Sequence, residues 1–321
     1  MPQIMDARLG RDVDLTVLSQ DVAVRSLLPL ALSGLTAGEA DVVRRDLEKM
    51  KLLRLEPRDP GSGLAPPAFV AVQVRSGLVV RRVLRQRARG RRTESDLADP
   101  IVDLLRELCI ALALDVVTAV LTAVGGPPGT AAASVLYEFA RRPEWQRRLA
   151  DELGTVNPAA FRTAPPSAAP VTHRFVKEVL RQWSPPLLLV RRSTVPFDLG
   201  KTRLAPGDRY LLSPRMMHRD GRVRNGPDLF DPDRILPGAS HGPADRTCYV
   251  PFGWAPKKCV GANVAIVQLM ALCHLLCNQV PPGRAPTGRG HDGLALRPRT
   301  GEAPRVTGPQ WSAPYILRRL T

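Results

Sequence analysis

Cys259 is the residue with the clearest chemical potential in this chain, because it stands between a turn-rich stretch and an apolar one. Pro251 and Gly253 before it favour turns, whereas residues 262–277 carry apolar side chains at helical spacing and no proline. The spacing predicts that Cys259 lies where a loop becomes a helix. The unpaired backbone N–H groups and the positive dipole end of a helix start favour a thiolate, which can bind a soft metal ion. A lone cysteine before a helix is more often an inert buried thiol, so the position alone leaves both interpretations open.

The residues around Cys259 narrow this choice. From Phe252 to Gly261 the chain reads Phe-Gly-Trp-Ala-Pro-Lys-Lys-Cys-Val-Gly. This run resembles the cysteine loop of the cytochrome P450 family, whose signature is Phe-Gly-x-Gly-x-His/Arg-x-Cys-x-Gly. The resemblance implies that Cys259 is the axial thiolate ligand of the iron in haem b, with Phe252 beside the sulfur. It also implies that Lys257 faces a haem propionate.

The match to the family continues beyond the loop, and within the loop it departs from the family pattern at two positions. Gly261 and Ala265 agree with the pattern, and the resemblance counts them among the cofactor-binding residues. Ala255 stands where the family usually has its second glycine, and Lys257 stands where it has His or Arg. The two departures affect the geometry of the loop and the contact to the propionate.

A second motif lies upstream, in the run Glu178-Val-Leu-Arg181. Opposite charges three residues apart share a face of a helix and can meet, although most such pairs are ordinary surface salt bridges. In the cytochrome P450 family a Glu-x-x-Arg pair joins the arginine of a Phe-x-Pro-x-Arg motif in a buried structural triad. Glu178, Arg181 and Arg234 match that triad in order and spacing, and the planar fork of arginine suits bidentate pairing to a carboxylate.

Other positions carry roles only through the same resemblance. Arg191 follows an apolar run and matches the strand arginine that holds a haem propionate. The substrate pocket is expected to include Ala123, Leu187, Leu188 and Leu189, and a plain apolar core is the alternative for the leucines. The run Ser213–Asp220 matches a His-Arg-Asp stretch of the family and is interpreted as scaffold.

The main departure from the family lies in a helix interrupted by Gly125-Gly-Pro-Pro-Gly129. Such a break marks either a functional site or a turn. Family members usually carry Ala-Gly-x-Asp/Glu-Thr here, and the acid and the hydroxyl deliver protons for oxygen activation. Counting back from Tyr137 places Gly126, Pro127 and Pro128 in that stretch, so no catalytic acid–alcohol pair is identified.

Composition limits the classes of function. The formal net charge of +16 invites a nucleic-acid interpretation, but the arginines are spread along the chain and aromatic residues make up only 5% of it. A basic face that steers an acidic, ferredoxin-type electron donor and a simply Arg-rich proteome both remain open. We expect no nucleic-acid partner.

Cysteine usage and hydropathy indicate a cytoplasmic protein with no membrane partner, expected to be a monomer. Five scattered cysteines fit reduced thiols better than a disulfide framework. No run of about 18 uninterrupted apolar residues exists, and the first eleven residues lack the layout of a signal peptide. Cys273, His274 and Cys277 share a helix region, but without nearby carboxylates buried structural thiols are favoured over a metal site.

The predicted fold class is mainly α with small β-sheets (α+β), a cytochrome P450 fold lacking much of its N-terminal part. We expect one haem-thiolate domain over 1–321, with a Pro/Gly-rich loop near 56–67 and a haem-binding core at 115–280. Thr36 and Glu39 have the spacing of a helix capping box. Helices are predicted over the following stretches: 12–35, 36–54, 68–89, 100–124, 130–140, 143–154, 173–183 and 262–277. Short strands are predicted over the following stretches: 187–192, 197–199, 210–212, 293–296 and 313–317.

Three functions are compatible with this pattern. The first is a haem-thiolate monooxygenase that inserts one oxygen atom from O2 into a small hydrophobic metabolite, in bacterial secondary metabolism. The second is a catalytically weak homologue that serves as a partner or activator subunit, for example of a glycosyltransferase; a shortened pocket and the lost acid–alcohol pair favour it, and the retained Cys259 argues against it. The third is a peroxide-driven peroxygenase, which needs no acid–alcohol pair.

Overall fold

The computed structural model describes residues 13–55, 67–92, 95–104, 109–236, 248–254, 256–279, 293–298 and 315–320. The loop expected near 56–67 lies outside these residues except for Pro67. Helices dominate the described part, with small antiparallel sheets beside them, as the predicted fold class requires. The α-helices are α1 Leu15–Ala31, α2 Ala37–Leu55, α3 Pro67–Ala88, α4 Asp99–Asp103, α5 Ile110–Val124, α6 Pro127–Arg141, α7 Pro143–Leu153, α8 Pro165–Ala168, α9 Pro170–Gln182, α10 Pro214–His218 and α11 Ala262–Gln279. Two 3₁₀ turns cover Pro158–Arg162 and Pro232–Ile235.

The helix starts follow from local chemistry. The backbone N–H of Thr36 donates to Oε2 of Glu39 at 2.9 Å, and the N–H of Glu39 donates to Oγ1 of Thr36 at 3.3 Å. This reciprocal pair confirms the predicted capping box at the start of α2. Proline is the first residue of α6, α7, α9 and α10, where its missing N–H would have no helical acceptor.

One predicted helix is wrong in its boundaries. The apolar pattern over 100–124 predicts one long helix, but α4 ends at Asp103 and α5 begins only at Ile110. Cys109 before it has extended backbone angles, φ −67° and ψ 149°, so the helix cannot run through that residue. Hydrophobic periodicity continues across Cys109 and therefore does not reveal the boundary. The predicted interruption near Gly125 is present, and α6 begins at Pro127 and not at 130.

The strands form three antiparallel sheets. Strands β2 Leu189–Arg192 and β5 Arg209–Leu212 pair with each other, as do β3 Phe197–Leu199 and β4 Thr202–Leu204. In the third sheet β7 Tyr315–Leu320 lies between β6 Gly293–Pro298 and a two-residue strand β1, Val13–Asp14. The sequence did not predict β1, which is too short to show alternation.

The chain divides into two compact units. The first comprises residues 16–132, and the second comprises residues 133–321 together with the strand β1. The core of the first unit is formed by α1, α3 and α5, with Val24, Val80 and Val117 buried. In the second unit α7, α9 and α11 pack against one another, and Phe175 and Met270 are fully buried. The single domain over 1–321 stays a prediction.

The stretch Ile110–Arg141 has the length and hydropathy of a membrane span, with a mean hydropathy of 1.8. Gly125 and Gly126 interrupt it between α5 and α6. Ala113, Val117 and Leu121 on α5 are buried in the core of the first unit. One stretch of this length and hydropathy is weak evidence for a membrane span.

Candidate functional site

The loop before α11 presents Cys259 on a defined backbone. The N–H of Cys259 donates to the carbonyl of Phe252 at 2.8 Å, and the N–H of Gly253 donates to the carbonyl of Val250 at 3.0 Å. Gly253 has φ +76°, a left-handed conformation that glycine adopts without steric cost. The carbonyl of Cys259 accepts the N–H of Ala262, the first residue of α11, at 3.4 Å. Cys259 therefore lies where a loop becomes a helix, as its sequence context predicts.

The surface around Cys259 is exposed and carries two aliphatic side chains next to the lysines of the loop. The cysteine itself is exposed, Val260 is 102% exposed and Val264 is 43% exposed. Exposed aliphatic side chains next to a thiol form a surface that a flat apolar ring can cover. A Cβ on Gly261 would lie 3.9 Å from the Cys259 sulfur, an ordinary contact, so local space does not require glycine there. The ring contact predicted for Phe252 and the role of Ala265 stay predictions.

Two cations of the second unit have no protein carboxylate as a partner in the described part of the chain. Lys257 is exposed in the cysteine loop, and Arg191 is half-buried on β2. The Nη1 of Arg191 donates to the carbonyl of Val190 at 3.0 Å, which leaves most of the guanidinium donors available. Both side chains are therefore available to bind the carboxylates of a haem, and that role stays a prediction.

The structure brings Glu178, Arg181 and Arg234 together in a buried cluster. The Nε and Nη2 of Arg181 donate to the two carboxylate oxygens of Glu178 at 2.7 and 2.8 Å, and the Nε of Arg234 lies 3.3 Å from Oε1. All three side chains are nearly inaccessible to water, at 2%, 0% and 3% exposure for Arg181, Glu178 and Arg234. The N–H of Asp231 also donates to Glu178 at 2.9 Å.

Arg181 has a partner for each of its five N–H groups. Beyond the two bonds to Glu178, its Nη1 donates to the carbonyls of His218 and Pro227 at 2.9 and 2.7 Å. Its Nη2 donates to the carbonyl of Leu229 at 2.9 Å. One side chain of α9 thus holds two later segments of the chain in place. The stabilising role of this triad for the cysteine loop stays a prediction.

His218 connects this cluster to the start of the cysteine loop, a contact that sequence reasoning missed. Its Nε2 accepts the N–H of Val250 at 2.8 Å, and its Nδ1 lies 3.1 Å from the carbonyl of Arg181. A neutral imidazole that donates from Nδ1 satisfies both contacts. Burial lowers the pKa of His218 to about 4, so the ring is neutral near pH 7. The run Ser213–Asp220 contained this residue, but its assignment as scaffold gave no partner.

Tyr249 adds a second connection between α9 and the loop. Its ring stacks on His218 with centroids 5.5 Å apart, and its hydroxyl donates to the carbonyl of Lys177 at 3.1 Å. Two side chains therefore fix the backbone that leads to Cys259: that of Tyr249, which belongs to this segment, and that of His218 in α10.

The predicted pocket residues lie in different units and are described separately. In the first unit Ala123 is exposed, on the same face of α5 as Leu112, Val116 and Ala119. In the second unit Leu188 is 55% exposed, while Leu187 and Leu189 are half-buried. These side chains are available for a hydrophobic ligand in each unit, and their role as a pocket stays a prediction.

The interrupted helix has open space at the position of the missing acid. A Cβ on Gly126 would meet nothing within 4 Å. Pro127 and Pro128 begin α6, and neither carries a proton donor. Local geometry therefore does not prevent a side chain at position 126; the sequence simply lacks one.

The two cysteines of α11, Cys273 and Cys277, have the properties of buried thiols. Cys273 is buried and Cys277 is half-buried. Burial raises the pKa of Cys273 well above its usual value and that of Cys277 to about 12. Both therefore stay protonated near pH 7, which does not suit metal binding.

Comparison with known proteins agrees with this geometry. The sequence model of the family described as Cytochrome P450 matches residues 115–279, just over half of the chain. The chain belongs to the cytochrome P450 family. The match spans the interrupted helix, the Glu178 cluster and the cysteine loop. Cys259 is therefore the candidate for the thiolate that binds haem iron in this family.

Relatives and a solved structure extend the likeness. Cyclooctatin synthase of Streptomyces melanosporofaciens is 41% identical over 90 residues, 28% of this chain and 19% of that protein. Pentalenene oxygenase of Streptomyces avermitilis is 30% identical over 148 residues, 44% of this chain and 32% of that protein. The crystal structure of a cytochrome P450DA haem domain shares the fold, with a TM-score of 0.73 at 19% identity, over 99% of this chain and 70% of that one. The matched regions cover about a third or less of the curated relatives' own length.

Proposed function

We propose that the chain is a haem-thiolate monooxygenase that inserts one oxygen atom from O2 into a small hydrophobic metabolite. The single observation that carries the proposal is the exposed Cys259 just before α11, held by a backbone bond to Phe252 and followed by the exposed aliphatic residues Val260 and Val264. Two of the similar proteins are named for oxidation or synthesis of particular compounds, pentalenene and cyclooctatin. Their names support a small hydrophobic substrate.

The residues of this chain would perform distinct tasks. Cys259 would ligate the iron, while Arg191 and Lys257 would bind the two propionates of haem b. When bound, haem with a thiolate ligand supplies the chemistry that cleaves dioxygen and oxidises a C–H bond. Leu188, 55% exposed beside the half-buried Leu187 and Leu189, would contact an apolar substrate.

Proton supply is the step for which this chain has no side chain at the usual place. Gly126, Pro127 and Pro128 hold no titratable group or hydroxyl. Water or a polar group of the substrate would therefore bring the protons. A positioned general acid raises the rate of such a step by about 10²–10⁴-fold. We therefore expect turnover with a reductase to be slow or to release peroxide.

The partners follow from charge and family. With a formal net charge of +16, the protein would attract an acidic, ferredoxin-type electron donor at low ionic strength. We further propose a cytoplasmic, monomeric enzyme of bacterial secondary metabolism.

The thiolate assignment is tested by replacing Cys259 with serine. The reduced carbon-monoxide complex of the unmodified protein should show the red-shifted Soret band of thiolate ligation, and Cys259→Ser should abolish that band. Cys109→Ser is the matched control, because Cys109 is also exposed and precedes a helix; it should keep the band. An unshifted band, or a folded protein without haem, would contradict the proposal and would favour a partner subunit.

A peroxide-driven peroxygenase is the second candidate, favoured by the open space at Gly126 and the absence of an acid there. For a substrate that the protein converts, the rate of turnover with peroxide should match or exceed the rate with a reductase. Gly126→Glu combined with Pro127→Thr should raise only the reductase-supported rate. Tight coupling of reductant to product in the unmodified protein would show that another group delivers the proton.

A further inference from the structure

The break between α5 and α6 leaves a run of carbonyls without their helical donors. In an α-helix the carbonyl of residue i accepts the N–H of residue i+4. Ala123 and Val124 would need donors at positions 127 and 128, which are prolines and have no N–H. The third carbonyl, of Gly125, would need Gly129, but the N–H of Gly129 donates to the carbonyl of Gly126 at 3.1 Å.

A side chain from α1 takes the place of one of these donors. The Nε2 of Gln20 donates to the carbonyl of Gly125 at 2.6 Å. Gln20 is only 6% exposed, so this bond forms away from water. A buried carbonyl without a donor would cost free energy, and the amide of Gln20 removes that cost at one position.

Gly129 is the residue that lets Gln20 reach the break. A Cβ on Gly129 would lie 2.1 Å from Oε1 and 3.1 Å from Cα of Gln20. A side chain at position 129 would overlap Oε1 and Cδ of Gln20, so the Gln20 side chain would have to move and its bond to Gly125 would be disturbed. The two residues therefore depend on each other.

We infer that Gln20 is a positioning residue that holds the helix open at Gly125, with Gly129 as its required partner. Without the amide, the carbonyl of Gly125 would accept the N–H of Gly129, and the three-residue turn from Gly126 to Gly129 would widen into an α-helical turn. Gln20 thereby sets the position of Gly126, where family members carry the acid. This functional meaning rests on the proposed function, whereas the structural dependence between Gln20 and Gly129 does not.

A thermal-unfolding cycle tests the pair without any need for haem. Gly129→Ala alone should lower the melting temperature by several degrees. In a Gln20→Ala background the same change should lower it much less or raise it, because the contacts at 2.1 and 2.8 Å to the Gln20 side chain are gone and alanine favours helix over glycine. Gly126→Ala is the matched control: its Cβ has open space, so its effect should be the same in both backgrounds. Equal effects of Gly129→Ala in the two backgrounds would overturn the inference.

A readout of the helix itself separates positioning from general stability. In Gln20→Met, which keeps the shape of the side chain and removes the donor, the amide resonance of Gly129 should shift as its acceptor changes from Gly126 to Gly125. The reductase-supported gain expected from Gly126→Glu with Pro127→Thr should fall several-fold in the Gln20→Met background. An unchanged Gly129 resonance would overturn the positioning role; loss of the thiolate spectrum in the unmodified protein would instead overturn the proposed function and leave the unfolding cycle valid.

Discussion

A buried cluster built on arginine is present in each of the two units, and the two clusters are arranged in opposite ways. In the second unit one carboxylate, Glu178, serves two guanidinium groups, those of Arg181 and Arg234. In the first unit one guanidinium, that of Arg87, serves two carboxylates, Asp96 and Asp99. Arg87 is 3% exposed and Asp96 is 1% exposed. Both clusters thus satisfy buried charge through paired hydrogen bonds.

The difference lies in what the remaining hydrogen bonds hold. Arg181 reaches carbonyls 37 to 48 residues later in the chain, and through His218 the cluster contacts the start of the cysteine loop. Arg87 reaches carboxylates 9 and 12 residues later in the chain and the carbonyl of Ser33, 54 residues earlier. The first arrangement connects, through His218, to the loop that contains the candidate ligand Cys259, whereas the second joins helix ends. A buried arginine cluster is therefore not in itself a sign of a functional site.

The largest expected effect comes from removing the shared carboxylate. Glu178→Ala would leave two buried guanidinium groups without a carboxylate, which should lower the free energy of unfolding by about 3–5 kcal/mol. Urea denaturation measures the loss, and haem content measures its effect on the loop. Asp233→Ala is the matched control, because Asp233 pairs with Arg148 and Arg174 at 36% exposure and should cost under about 1 kcal/mol. Wild-type stability and haem content in Glu178→Ala would remove the structural role.

An acid titration of stability probes the connection through His218. The pKa of His218 in the folded protein, about 4, lies below its ordinary value of 6.5 because the ring is buried. Between these values the unfolded chain binds a proton that the folded protein does not, so stability falls as pH falls from about 6.5 to about 4, by up to about 3 kcal/mol. His218→Gln should lack this part of the pH dependence, measured as the difference between the two proteins in urea at each pH. Parallel curves for the two proteins would show that His218 is not held neutral.

The smallest effect is expected in the first unit. Although burial by itself raises the pKa of Asp96, hydrogen bonds from Arg87 and from the backbone of Ser33 and Ala98 hold that pKa below its usual value. Asp96→Asn keeps the size of the side chain, and Arg87 keeps its bonds to Asp99 and Ser33. We expect a loss of about 2 kcal/mol in the free energy of unfolding. A loss as large as that of Glu178→Ala would mean that the Arg87 cluster contributes as much to the free energy of unfolding as the Glu178 cluster does.

The same contrast explains what the sequence could predict. Cys259 before α11 and the capping box of α2 depend on neighbours in the chain, so local patterns were sufficient. The contact of Glu178 with Arg234 spans 56 residues and was predicted only because a family motif names it. Gln20 and Gly125 are 105 residues apart, and no motif joins them. The Arg87 cluster was missed for the same reason, since its partners follow no fixed spacing.

The prolines at the first positions of α6, α7, α9 and α10 stabilise the fold through the unfolded chain. A proline ring fixes φ near the helical value even when no structure is present, so the unfolded ensemble has fewer conformations to lose. This contribution, about 0.4–1 kcal/mol at each compatible position, corresponds to no contact in the folded protein. These four helices therefore gain part of their stability from the restricted backbone of the unfolded chain.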